Sequence, residues 1–137
     1  MNAKSHPDWS RIPRVAVDSS VLAAFFLDEP GVAPLEHLKH KLQLPFVSIC
    51  ELLYIVTRKK NRAYADQCFG LIKSWGAPIL HSTEESILAA SRLKSQYGLG
   101  LGDAFIAATS LCFRLPLLTY DTDYLPLAKE IQLFGVE

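Results

Sequence analysis

No stretch of this chain is long and apolar enough to cross a membrane. The longest apolar run near the N-terminus, Val21 to Leu27, falls far short of the roughly 20 residues a spanning helix needs. The start has no apolar signal-peptide core either, because Lys4, His6, Pro7 and Asp8 interrupt it. Cysteine is scarce and unpaired in pattern. Cys50, Cys68 and Cys112 are odd in number and widely spaced, with no CxxC, which argues against a disulfide framework and a zinc site and for a reducing compartment. Charge of one sign is also missing. Acidic and basic residues balance at 14 each, so a nucleic-acid partner would have to be held by a local basic patch. Repeats and low-complexity segments are absent. What is present, 50% hydrophobic and 20% charged residues in 137, suits one compact cytoplasmic domain with a proper core.

Short apolar runs alternate with helical patterns along the chain. Residues 1–13 form a polar lead-in without periodicity, which Trp9 and Ile12 could pin to the surface. Residues 14–137 then read as a single domain. Arg14 to Asp18 is a buried parallel strand ending in an acid, and Ser19 and Ser20 can cap a helix from Val21 to Leu27. Val32, Leu35, Leu38 and Leu42 predict a helix over 32–42. Its His37 and His40 lack a third metal ligand and read as solvated. A strand at 44–47 leads into a helix capped by Ser48, with Glu51 completing a capping box. The next helix, Ala63 to Trp75, points Ala65, Cys68, Phe69, Leu71 and Ile72 inward and stops at Gly76. A brief strand at 78–80 precedes a helix opened by a second capping box, Ser82 to Glu85, and closed by Gly98. A helix from about Asp103 to Phe113, a strand at 116–120, a short helix at 124–129 and a last strand at 131–136 follow. This alternation predicts α/β architecture with a central, mainly parallel sheet flanked by helices.

Four acids fall at related places in that pattern. Asp18 and Asp121 each follow an apolar strand; Glu51 and Asp103 each stand near a helix start. Three of them have an ordinary explanation: an Asx-turn or cap for Asp18, a capping box for Glu51, a first-turn cap for Asp103. Yet strand carboxyl ends and helix amino ends share one edge of a parallel sheet, so all four would converge there. Carboxylates so close raise each other's pKa unless a cation neutralises them. A hard divalent ion, Mg²⁺ or Mn²⁺, suits an all-oxygen site, and such a site can activate water against a phosphodiester.

Four segments carry a family resemblance. They are Val17-Asp18-Ser19-Ser20-Val21-Leu22, Ser48-Ile49-Cys50-Glu51-Leu52, Gly102-Asp103-Ala104-Phe105-Ile106-Ala107-Ala108-Thr109 and Leu118-Thr119-Tyr120-Asp121-Thr122-Asp123-Tyr124. In order and spacing they resemble the PIN-domain ribonucleases, above all the VapC-type toxins of toxin–antitoxin pairs. The resemblance implies a PIN-like three-layer fold. It implies that Asp18, Glu51, Asp103 and Asp121 bind metal, with Asp123 a further contributor and the hydroxyls of Ser19 and Thr119 in support. It also implies cleavage of RNA (tRNA or rRNA in many members), dimer formation, and silencing by an antitoxin whose tail covers the site. The chain departs from the pattern in carrying residues 1–13 ahead of the first strand. RNA would need cations near the acids. Arg58, Lys59, Lys60 and Arg62 are the densest basic group, with Arg58 about 10 Å from Glu51 at helical rise. The same four residues could equally be a solvated helix end that suits the dipole.

Other classes fit less well. A phosphoacceptor receiver domain needs a second acid near the first strand and a lysine after the last. Serines follow Asp18, and residues 131–136 contain no lysine. A haloacid-dehalogenase-type phosphatase needs two acids flanking one residue, and Ser20 occupies the second place. The rival that remains is a PIN fold used as an RNA- or protein-binding module with little or no nuclease activity.

Overall fold

The computed structural model describes residues 8–136. Its five strands are β1 (Val15–Val17), β2 (Leu42–Pro45), β3 (Ile79–Leu80), β4 (Leu117–Leu118) and β5 (Leu133–Phe134). They form one sheet in the order β3-β2-β1-β4-β5, with every neighbouring pair parallel. Six helices surround it: α1 (Ser19–Phe26), α2 (Leu35–Leu38), α3 (Phe46–Lys59), α4 (Arg62–Ser74), α5 (Glu84–Tyr97) and α6 (Leu101–Cys112).

The three layers follow from the alternation of side chains along β1. Val15 and Val17 face one side, where α1 to α4 contribute Leu22, Leu35, Leu52 and Ile72 to a buried cluster. Ala16 faces the other, beneath Leu93 of α5 and Ile106 of α6. The small residues Ala104, Ala107 and Ala108 are fully buried on α6, which lets this helix lie close against its neighbours. Strand order decides where a site can form. β1 sits between β2 and β4, so the chain leaves it towards one side and returns on the other. That reversal opens a crevice at the carboxyl ends of β1 and β4.

Several element boundaries differ from the sequence reading. The helix expected over 32–42 is one turn, Leu35–Leu38, because Leu42 is taken into β2, where it pairs with Val15. The 3.6-residue spacing there was shared by two elements. Helix α3 begins at Phe46, with Pro45 at the cap position, so Ser48 lies inside the helix, buried, and caps nothing. The second capping box is shifted by one residue, with Thr83 and Ser86 exchanging side-chain and backbone hydrogen bonds. Ala65, Cys68 and Ile72 form the buried face of α4, whereas Phe69 and Leu71 lie off that stripe and are exposed. Gly98 closes α5 in the left-handed region, at φ 71°, where glycine is the favoured residue.

Of the lead-in, residues 1–7 lie outside the described residues. Asp8 caps a 3₁₀ turn at Trp9–Arg11, and Ile12 is buried in the first core cluster. Thr122–Leu127 forms a second 3₁₀ turn, in place of the short helix expected to start at Tyr124. Among the described residues no helix is long and apolar enough to cross a membrane.

Candidate metal centre

Asp18 follows β1 directly and caps α1, its Oδ2 accepting from the Ser20 backbone N–H. The same oxygen accepts from Ser20 Oγ at 2.6 Å and from Thr119 Oγ1 at 2.8 Å. The capping role therefore uses one oxygen only, and Oδ1 accepts instead from the Tyr124 hydroxyl. Asp18 is 1% exposed, so its hydrogen bonds are what make burial of a carboxylate tolerable.

Glu51 reaches the same place from α3. It is not a capping-box residue, since α3 starts earlier than the sequence suggested; instead Ser19 Oγ donates to its Oε1 at 2.9 Å. Asp103 is the third residue of α6, whose cap position is Gly100 with no side-chain cap bond. Its carboxylate does not cap the helix but accepts from the Tyr124 hydroxyl at 3.1 Å. Asp121, beyond β4, caps the second 3₁₀ turn by accepting from the Asp123 N–H at 2.9 Å. Its own N–H donates to Thr119 Oγ1, so Thr119 links the two strand-end acids.

The acids gather in two overlapping sets. One carboxylate oxygen each from Asp18, Glu51 and Asp103 lies within 4.8 Å of the others, and the same holds for Asp103, Asp121 and Asp123. Asp103 belongs to both, so the arrangement is two triads hinged on one residue. A glycine makes room for the first. A Cβ on Gly102 would overlap Glu51 Oε2 and stand 3.0 Å from Glu51 Cδ.

The electrostatics follow from the crowding. Burial pushes the Asp103 carboxyl up to about 6, and the charges of Asp18, Asp121 and Glu51 push the same way, against the Tyr124 hydrogen bond. Glu51 is also raised, by burial first and then by Asp18 and Asp121, with the Ser19 bond opposing. No lysine, arginine or histidine is among the groups that set either value. A buried to half-buried, all-oxygen donor set, with no protein counter-charge acting on it among the described residues, fits a hard divalent cation, and the space that Gly102 keeps for Glu51 is consistent with that fit.

Two residues were missed in the sequence. Ser20, read only as a cap, donates to Asp18 and accepts from the Tyr120 N–H. Tyr124 is fully buried and touches both Asp18 and Asp103. Its only local signal is its place one turn after Asp121. The structure does not bring Arg58, Lys59, Lys60 and Arg62 into the acidic crevice. They are exposed where α3 ends and α4 begins, and Arg62 pairs loosely with Asp66 at 3.4 Å. His81 is exposed and stacks on Phe46.

A wholly parallel sheet with carboxylates gathered at its reversal point defines an α/β protein with an acid-centred site. Residues 15–130 match the PIN domain family, and the chain belongs to it. Comparison with curated protein sequences gives no significant match. Solved structures give several. A VapBC2 complex from Rickettsia felis, bound to a DNA fragment from its promoter, superposes with a TM-score of 0.72 at 15% identity, covering 87% of this chain and 96% of that one. PAE2754 from Pyrobaculum aerophilum gives 0.67 at 21% identity, covering 88% and 89%. VapC20 from Mycobacterium tuberculosis, a Sarcin-Ricin loop cleaving toxin, gives 0.64 at 17% identity, covering 82% and 93%. At these identities the likeness is one of fold.

Proposed function

We propose that this protein is a metal-dependent endoribonuclease and the toxin of a type II toxin–antitoxin pair, acting in the cytoplasm. The observation that carries the reading is the convergence of Asp18, Glu51 and Asp103, joined through Asp103 to Asp121 and Asp123. These residues would hold Mg²⁺ or Mn²⁺. When bound, such an ion supplies charge stabilisation for the phosphate oxygens and makes water a stronger nucleophile near neutral pH. The chain's own part is to hold the carboxylates in place. Thr119 and Ser20 fix Asp18, Ser19 fixes Glu51, and Thr119 also receives the N–H of Asp121. Among the described residues no histidine or lysine acts on Glu51 or Asp103, so in this reading the acids and the ion together account for the chemistry. The toxin–antitoxin complexes among the structural neighbours support a cognate antitoxin as partner. The resemblance adds a homodimer, with RNA, of tRNA or rRNA type, as substrate.

Purified protein is expected to cleave RNA with Mg²⁺ or Mn²⁺ and to stop when excess chelator is added. RNA binding without any cleavage in either ion would sink the nuclease reading in favour of a binding module. Cleavage that continues in chelator would sink the metal mechanism.

RNA needs an approach that the acids do not provide, because they repel phosphate until an ion is bound. Arg58, Lys59, Lys60 and Arg62, exposed where the helix that carries Glu51 ends and α4 begins, supply the positive surface in this reading. Replacing Lys59 and Lys60 with alanine is expected to weaken RNA binding evenly across sequences. The salt dependence of binding should flatten by about one ion per lost contact, since phosphate contacts release counterions and read no sequence. Binding titrations at two salt concentrations check this. Identical slopes for variant and wild type would leave the four cations as a solvated helix end.

A further inference from the structure

The hydrogen bonds around Asp18 divide its two oxygens sharply. Oδ2 accepts from Ser20 N, Ser20 Oγ and Thr119 Oγ1, all within 3.3 Å. Oδ1 accepts from the Tyr124 hydroxyl, at 3.1 Å. That hydroxyl lies at the same 3.1 Å from Asp103 Oδ1. One O–H therefore stands between two carboxylates delivered by distant parts of the chain, the end of β1 and the first turn of α6. The tyrosine ring is fully buried among Ala104, Leu117 and Leu127, so the hydroxyl's place is set by core packing.

We propose that Tyr124 is a positioning residue for the metal centre: its hydroxyl, shared by Asp18 Oδ1 and Asp103 Oδ1, fixes the spacing of these two oxygens so that one divalent cation meets both. The inference rests on the metal-dependent reading above and adds a residue which that reading does not use. Chemistry favours a phenol for this task. A lysine between the two acids would cancel the charge that attracts the ion. A phenylalanine would pack as well but remove the bond that holds Asp103 towards Asp18, which Ser20 and Thr119 still fix. A neutral donor restrains them and leaves their charge for the cation. Hydrogen bonds that orient metal ligands in this way are commonly worth about 10- to 100-fold in metal affinity.

Tyr124→Phe keeps the ring and removes only the hydroxyl. The test is calorimetric titration of wild type and variant with Mn²⁺ and with Ca²⁺, without RNA, at a temperature below the melting transition of both proteins. Working below both transitions keeps the comparison readable if the variant is less stable. The Mn²⁺ dissociation constant is expected to rise about 10-fold in the variant. Ca²⁺ should lose less, because its larger and more flexible coordination tolerates displaced oxygens. A variant that binds Mn²⁺ as tightly as wild type overturns the proposal, whatever its melting temperature. An equal loss for both ions also overturns it, since that is the mark of general loosening. Wild-type protein that takes up no Mn²⁺ would overturn the metal reading itself, which separates the two failures.

Discussion

Asp103→Asn is expected to lower metal-dependent cleavage by about 100-fold or more, while making the ion-free protein more stable at pH 8. The first effect follows from Asp103 belonging to both acidic triads, so that one neutral amide weakens every candidate ion position. An ion in such a site supplies several kcal/mol of charge stabilisation, and about 1.4 kcal/mol is tenfold in rate. The second effect has the opposite sign and comes from the carboxyl's position. Its pKa is raised from 3.8 to about 6 in the folded chain, by burial above all. A raised acid contributes stability that is fully present below pH 3.8 and lost as pH rises through about 6. Above that range the ionised group is a net cost, which asparagine removes. Asp103 is only about half buried, so solvent screening reduces the gain to about 1 kcal/mol, or about 4 °C in melting temperature. Melting in chelator at pH 8 and pH 3.5 measures it: the variant should exceed wild type at the higher pH and not at the lower. The amide oxygen can still accept from Tyr124, so the local packing is kept. Wild-type cleavage by this variant would remove Asp103 from the metal centre.

Gly102→Ala should separate the site from the fold in another way. A methyl group there overlaps the Glu51 carboxylate, so the glutamate has to turn away from Asp18 and Asp103. The glutamate end is flexible and half-buried, which makes this movement cheap for the fold. Alanine also favours a helix over glycine by up to about 1 kcal/mol. Mn²⁺ affinity and cleavage are therefore expected to fall about 10-fold or more, by analogy with displaced ligand-orienting groups, while the melting temperature stays level or rises. A Glu51→Ala background provides the control. With no carboxylate to displace, the added methyl should cost nothing further, and a double-mutant cycle reads that coupling directly. Equal losses with and without Glu51 would mean that the methyl acts elsewhere.

Much of this protein was legible without coordinates, because local rules and tertiary demands agree over most of the chain. Val15-Ala16-Val17 is buried on both faces, so its β-branched run signals a central parallel strand whatever surrounds it. Asp18 and Asp121 stand just past strands because a chain leaving a sheet must turn, and acids serve such turns well. Gly98 sits where a helix ends in the left-handed region. The alternation of strands and helices was enough for α/β class, and the four acid-bearing segments were enough for the family.

Tertiary structure decided the rest, where a residue's partners lie far along the chain. Leu42 fits a helix stripe by spacing, but pairing with Val15 draws it into β2. Ser48 and Glu51 have the form of a capping box, but α3 starts at Phe46, and the glutamate is left free to meet Ser19. Asp103 looked like a cap until a tyrosine 21 residues away proved to be its partner. That tyrosine's other contact, Asp18, is 106 residues distant, and no local pattern encodes such a bond. The strand order is of the same kind. Periodicity reports which residues face a core, but only the closing of β1 between β2 and β4 determines that the acids share one crevice.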